Sequence, residues 1–156
     1  MSKKLYLAYG SNLNIDQMKY RCPDAEKIGS TILRGYELVF RGNMRRCGVA
    51  NIEKKEGSVV PVGIWSISEA DEIELDKYEG YPYLYEKEWL TVEFGGKEHK
   101  VMAYIMTGNP GYALPVRGYF NTILEGFDDF DLDKDVLFKA ALKTKNRLFE
   151  KFKLRK

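Results

Sequence analysis

Histidine is almost missing from this sequence: His99 stands alone in 156 residues. A zinc site built on imidazoles, or a Ser-His-Asp triad, would rest entirely on that one side chain. His99 follows Gly95-Gly96 and is flanked by Lys97, Glu98 and Lys100, the composition of an exposed hairpin end. Cysteine is nearly as scarce. Cys22 and Cys47 lack metal-ligand spacing, and two thiols of this kind suit a reducing cytoplasm, so a cytoplasmic location is expected. Long apolar runs are missing too, and no membrane span is expected. Met1-Ser2-Lys3-Lys4 leads into a five-residue apolar run, too short for a signal peptide. The net charge is only +2, which argues for no nucleic-acid partner. Neither a GxGxxG turn nor a Gly-Lys-Ser/Thr phosphate loop occurs, so nucleotide readings lack support.

What the chain does contain is enough for one folded domain over residues 1–156. Hydrophobic residues make up 44% and charged residues 31%, an ordinary globular balance. Leu5 to Ala8 reads as a buried strand running into the turn Gly10-Ser11-Asn12. Asn14 and Gln17 have capping-box spacing, and Ile15, Met18 and Cys22 recur at helical spacing before Pro23. Strand-like runs follow at 28–33 and 36–41, broken at Arg34-Gly35. Further runs at 48–52 and 59–66 are separated by a polar turn at Lys54-Lys55-Glu56-Gly57. Val60, Val62, Ile64 and Ser66 would share one strand face.

Ser68 is an N-cap candidate for a helix that runs to about Glu79 and stops at Gly80, with Pro82 opposing a restart. Residues 84–94 and 98–106 read as a hairpin turning at Gly95-Gly96. Residues 116–127 are expected to be helical after the Asn109-Pro110-Gly111 loop. A basic amphipathic helix is expected at about 132–153. Leu137, Ala141, Leu148 and Phe152 form its apolar stripe, widened by Phe138, Leu142 and Phe149. Hairpin-linked strands outnumber crossover helices. The expected class is α+β, with a small barrel-like, largely antiparallel mixed sheet and flanking helices.

Three features carry possible chemistry. The Gly10 turn ends a buried strand and opens toward a helix, which puts several backbone N–H groups in one place; a plain tight turn fits the local pattern as well. Glu79 stands at the negative end of a helix dipole, and any burial among Tyr78, Tyr81 and Tyr85 raises its pKa further. A carboxyl raised in this way can take a proton and return it, though an exposed surface glutamate has the same local pattern. Tyr78, Tyr81, Tyr83, Tyr85, Tyr104, Tyr112 and Tyr119 offer apolar bodies with polar tips suited to a small polar pocket, or simply to packing. The last 23 residues hold nine Lys/Arg against Asp135 and Glu150, the pattern of a basic outer helix face. A nucleic-acid or membrane-surface role for that face has no supporting motif.

Tyr9-Gly10-Ser11-Asn12-Leu13 after a first strand, with Leu75 to Pro82 carrying Asp76-Lys77-Tyr78-Glu79-Gly80, resembles the γ-glutamylcyclotransferase-like superfamily. Gly63-Ile64-Trp65, Ala103 to Met106 and Pro115 to Tyr119 extend the resemblance over roughly residues 4–127, leaving the basic helix outside. The resemblance implies a γ-glutamyl substrate held by backbone N–H groups of Gly10, Ser11, Asn12 and Leu13, with Tyr9 at the pocket edge. It places the catalytic glutamate at Glu79 and pocket tyrosines at Tyr85, Tyr104 and Tyr119. It implies no metal and no cofactor, and a barrel-like mixed sheet.

The reaction it implies is intramolecular. Glu79 takes a proton from the α-ammonium of a γ-glutamyl group, the amine attacks its own γ-carbonyl, 5-oxoproline forms and the distal amine leaves. A deprotecting enzyme that removes a γ-glutamyl group from a biosynthetic product, or a non-catalytic γ-glutamyl-binding module, would share the same turn. No motif names the leaving amine or an oligomeric state.

Overall fold

The first strand becomes the middle of the sheet. This computed structural model describes residues 3–42 and 47–153, with side chains through residue 150. β1 (Lys4–Ala8) pairs antiparallel with β3 (Gly48–Ile67) on one side. On the other it pairs parallel with β5 (Lys97–Met106), Tyr6 opposite Met102. With β2 (Glu26–Gly42) and β4 (Tyr85–Phe94) at the edges, the order is β2-β3-β1-β5-β4. The β1–β5 pairing is parallel and the other three ladders are antiparallel, so the sheet is mixed and largely antiparallel, as expected. It curls until its edges touch: the Thr31 hydroxyl of β2 donates to the Glu93 carbonyl of β4. No ladder joins these edges among the described residues, so the sheet is barrel-like without closing.

The expected four runs between residues 28 and 66 are two long strands. The polar turn expected at Lys54–Gly57 is instead an irregularity inside β3. Arg34 pairs with Val59 and Tyr36 with Lys54, so the intervening residues bulge from the ladder, which then resumes. Gly35 and Gly57 meet this with φ of 82° and 83°. Val60, Val62 and Ile64 are buried as expected, but so are Trp65 and Ile67 on the opposite face. Both faces of this part of β3 are covered.

Among the described residues four α-helices flank the sheet. α1 (Ile15–Arg21) is capped by Asn14, whose side chain accepts from Gln17 N. Gln17 does not complete the expected box; its Oε1 accepts from Arg21 instead. α2 (Glu69–Glu79) has a full capping box between Ser68 and Asp71 and ends at Gly80 with φ 67°, which matches the sequence expectation at both ends. The β4–β5 turn places Gly95 and Gly96 at φ 60° and 76°, the two left-handed positions a tight hairpin needs.

α3 (Arg117–Asp129) packs on the turn after β1, and α4 (Lys134–Lys153) packs on β2. α4 buries Leu137, Ala140 and Thr144. Phe138, Leu142 and Phe149, expected to widen the packed stripe, are 50%, 56% and 61% exposed, so they do not pack on the sheet. The Phe152 side chain lies outside the described residues. No described helix is long and apolar enough to cross a membrane.

Candidate active site

β1 delivers its C-terminal end to a cavity of about 260 Å³. The turn after it is a single 3-10 turn, Ser11–Leu13, closed by Leu13 N and Asn14 N donating to the carbonyls of Gly10 and Ser11. The first N–H groups of such a turn have no partner within it. No hydrogen bond among the described residues uses the N–H groups of Gly10, Ser11 or Asn12, and all three residues line the cavity. Leu13 differs from the sequence expectation. Its N–H is spent inside the turn, and its side chain is fully buried outside the cavity wall. It occupies space left by two missing side chains: a Cβ at Gly63 or at Gly126 would fall 2.6 Å from Leu13 atoms. Leu13 therefore anchors the turn between β3 and α3.

Glu79 reaches the same cavity from the last position of α2. Burial pushes its carboxyl up to about 7, against the pull of the Arg21 charge and of the Asn12 hydrogen bond. Asn12 Nδ2 donates to Glu79 Oε1 at 3.0 Å and to the Tyr6 hydroxyl at 2.8 Å. Asn12 Oδ1 accepts from Arg21 Nη1 at 2.6 Å, and the Asn12 carbonyl accepts from Trp65 Nε1 at 2.9 Å. The turn is thus gripped from α1, α2, β1 and β3 at once.

The expected pocket residues Tyr9, Tyr85, Tyr104 and Tyr119 all line the cavity, and each uses its hydroxyl to hold backbone or a neighbour. Tyr9 donates to the Tyr104 carbonyl at 2.7 Å. Tyr85 donates to the Ala50 carbonyl at 2.7 Å, while the Ala50 N–H donates to Tyr119 at 3.0 Å. Tyr104 donates to Asp76 Oδ1 at 2.6 Å, and Lys87 joins Asp76 to Glu72. Burial raises all four phenols well above their ordinary value, so they remain neutral.

The rest of the tyrosine set disperses. Tyr78 is in the wall, sharing a 2.8 Å hydrogen bond with Ser11 Oγ, and the Tyr81 ring packs edge-on against Tyr104. Tyr83 is 89% exposed, and Tyr112 lies between Arg41 and Arg147. His99 stacks on Phe94 at the far hairpin end.

Sequence reasoning missed Tyr6 and Arg21. Tyr6 had a weak signal, as a tyrosine inside an otherwise aliphatic strand. Arg21 had none beyond a basic residue in the last turn of a helix. Cys22 is buried with its thiol pushed up to about 12, so it stays protonated and unreactive. Among the described residues no cluster of His, Cys, Asp and Glu is arranged to hold a metal.

The gamma-glutamyl cyclotransferase, AIG2-like family model matches residues 6–121, a span that contains the turn and Glu79 but not α4. Among solved structures, one described as gamma-glutamyl cyclotransferase is 28% identical with a TM-score of 0.79, over 89% of this chain and 86% of its own. A crystal structure of an uncharacterized Homo sapiens protein is 27% identical with a TM-score of 0.80, over 90% and 87%. YkqA from Bacillus subtilis shares the fold at 20% identity and a TM-score of 0.77, over 93% of this chain and 55% of its own. No curated protein sequence matches the chain.

Proposed function

The chain belongs to the gamma-glutamyl cyclotransferase, AIG2-like family, and from that membership we propose that it releases 5-oxoproline from a γ-glutamyl amine or γ-glutamyl amino acid. The observation that carries this reading is Glu79 with its carboxyl pushed to about 7, in the same cavity wall as the N–H groups of Gly10, Ser11 and Asn12, which have no partner among the described residues. At neutral pH such a group is present in both protonation states, which is what a base that later acts as an acid requires.

In the proposed cycle the Glu79 carboxylate takes a proton from the α-ammonium of the substrate. The freed nitrogen bonds to the γ-carbon and closes a five-membered ring, with proximity supplying much of the rate. The negative charge that develops on the carbonyl oxygen is stabilised by N–H donors of the turn. The leaving nitrogen takes the proton from Glu79 as its bond to the γ-carbon breaks and the carbonyl re-forms, and the ring nitrogen gives up its second proton, which leaves with the departing amine as its ammonium. The neutral phenols of Tyr9, Tyr85, Tyr104 and Tyr119 wall the site without competing for protons. The substrate is a small molecule, the reaction needs neither metal nor cofactor, and the proposed compartment is the cytoplasm. Neither nucleic acid nor a membrane belongs to this reading.

The test is a panel of γ-glutamyl amines and γ-glutamyl amino acids with 5-oxoproline quantified for each. Release from at least one class is expected, and Glu79→Gln should bind that substrate while releasing none. Normal turnover by Glu79→Gln, or calorimetric binding without product across the panel, overturns the proposal. Turnover confined to a γ-glutamylated biosynthetic product identifies a deprotecting role on the same chemistry.

A further inference from the structure

Asn12 is the one residue of the turn whose side chain touches Glu79, and an amide side chain can face either way. One face offers an acceptor and the other two donors. Here the choice is made from behind. A guanidinium has donors only, and Arg21 Nη1 stands 2.6 Å from Asn12 Oδ1. The oxygen must face Arg21, so the amide nitrogen faces forward and donates to Tyr6 and to Glu79 Oε1. The reversed amide would set its oxygen against the carboxylate and its nitrogen against the guanidinium, two repulsive pairings at a residue only 3% exposed.

Arg21 is itself held by two further contacts. Its Nη2 donates to Gln17 Oε1 at 3.2 Å, one turn back along α1. Its guanidinium stacks on the Tyr78 ring at 3.4 Å from the centroid, and the Tyr78 hydroxyl is bonded to Ser11. Arg21 does not line the cavity, so its effect on a bound molecule passes through the groups it holds there, Asn12 and the Tyr78 ring, and through its field at Glu79.

We propose that Arg21 is a positioning residue for the cyclotransfer reading above: its guanidinium fixes the Asn12 amide so that a donor, not an acceptor, meets Glu79. The same charge acts on proton exchange. Tyrosines line the cavity beside Glu79 from β1 (Tyr6, with Tyr9 just beyond it), β4 (Tyr85), β5 (Tyr104), α2 (Tyr78) and α3 (Tyr119). Asp76 and Lys87 pair with one another on the far side of Tyr104. Among the described residues Arg21 is the cation whose field reaches the carboxyl, and it favours the ionised form against burial. Without it the carboxyl loses both its oriented donor and its compensating charge.

The test compares wild type, Arg21→Ala and Arg21→Lys, each checked for folding by circular dichroism. The readouts are the pH dependence of 5-oxoproline release and the carbon-13 signal of the Glu79 carboxyl. Arg21→Ala should lower kcat roughly 10–100-fold, the size of a lost charged hydrogen bond, with KM little changed. Its acid limb and its carboxyl titration should both move upward. Added methylguanidinium should restore part of kcat and draw the limb back. Arg21→Lys keeps the charge and a donor-only head but loses the planar fork that also holds Gln17, so its limb should stay near wild type while kcat falls between alanine and wild type.

A folded Arg21→Ala with wild-type kcat overturns the proposal. So does one that is slow but whose limb and carboxyl titration have not moved and which methylguanidinium does not rescue. If Arg21→Ala does not fold, Arg21→Lys with wild-type kcat overturns it as well. Should wild type release no 5-oxoproline at all, the reaction reading fails by itself, and the substrate-free carboxyl titration still decides the role of Arg21.

Discussion

Replacing Glu79 by Gln turns the buried carboxyl into a difference in folding stability that varies with pH. In the folded protein the Glu79 carboxyl is pushed to about 7, whereas its ordinary value, which the unfolded chain keeps, is 4.5. Between those values the folded state holds a proton that the unfolded chain has released. Stability must therefore fall as pH rises through this window. Below 4.5 both states are protonated and Glu79 imposes no penalty; above 7 the penalty is complete. At about 1.4 kcal/mol per pH unit the gap amounts to about 3 kcal/mol. Glutamine keeps the shape and an oxygen for Asn12 but carries no charge. The variant should match wild type near pH 4.5, gain on it up to pH 7, and hold a constant advantage beyond. For a chain of this length about 3 kcal/mol is roughly 6–12 °C in Tm. Urea melts followed by circular dichroism at about pH 5 and about pH 8 measure the difference directly. Taking the difference cancels the many carboxyls common to both proteins. An advantage of equal size at both pH values, or a less stable glutamine variant at pH 8, refutes the reasoning.

The seat of Leu13 makes a second prediction. In Gly126→Ala the new Cβ lies 2.6 Å from Leu13 Cβ and 2.8 Å from Asn14 N, so α3 or the turn must shift. Denaturant melts should show a loss of about 1–3 kcal/mol, with a fall in activity, because the displaced turn carries the N–H donors. Gly118→Ala in the same helix meets nothing within 4 Å and should be neutral or stabilising by about 0.4–1 kcal/mol. Equal effects from the two substitutions would remove the packing argument. Tyr9→Phe deletes the donor to the buried Tyr104 carbonyl and should cost about 1–3 kcal/mol of unfolding free energy, while leaving the phenyl ring in place.

Local physics made part of this molecule legible in advance. Ser68 and Asp71 cap α2 through bonds three residues apart, and Gly80, Gly95 and Gly96 take left-handed conformations that other residues resist. These depend on neighbours in the chain, so the start of α2, its end at Glu79 and the β4–β5 hairpin could be read directly. The strands between residues 28 and 66 were harder. Lys54 to Gly57 has the composition of a turn, yet the ladder resumes beyond it because pairing on both sides outweighs local preference. The outward face of α4 was misread for a related reason. Its residues Leu137, Ala140 and Thr144 pack because of where the helix docks, and Phe138 and Leu142 have equal hydrophobic claim by spacing alone.

The sequence by itself determined the two ends of the site: a turn with N–H groups to spare after the first strand, and a glutamate at the negative end of a helix. Tertiary structure decided everything that joins them. Asn12 and Glu79 are 67 positions apart and meet because β1, which leads into the turn, pairs in the sheet with β3, which leads into α2. The same folding turns Tyr6 toward Asn12, brings Arg21 behind it, and withdraws Leu13 into the packing between β3 and α3. A side chain's direction depends on which distant backbone it packs against, and neither periodicity nor spacing records that partner.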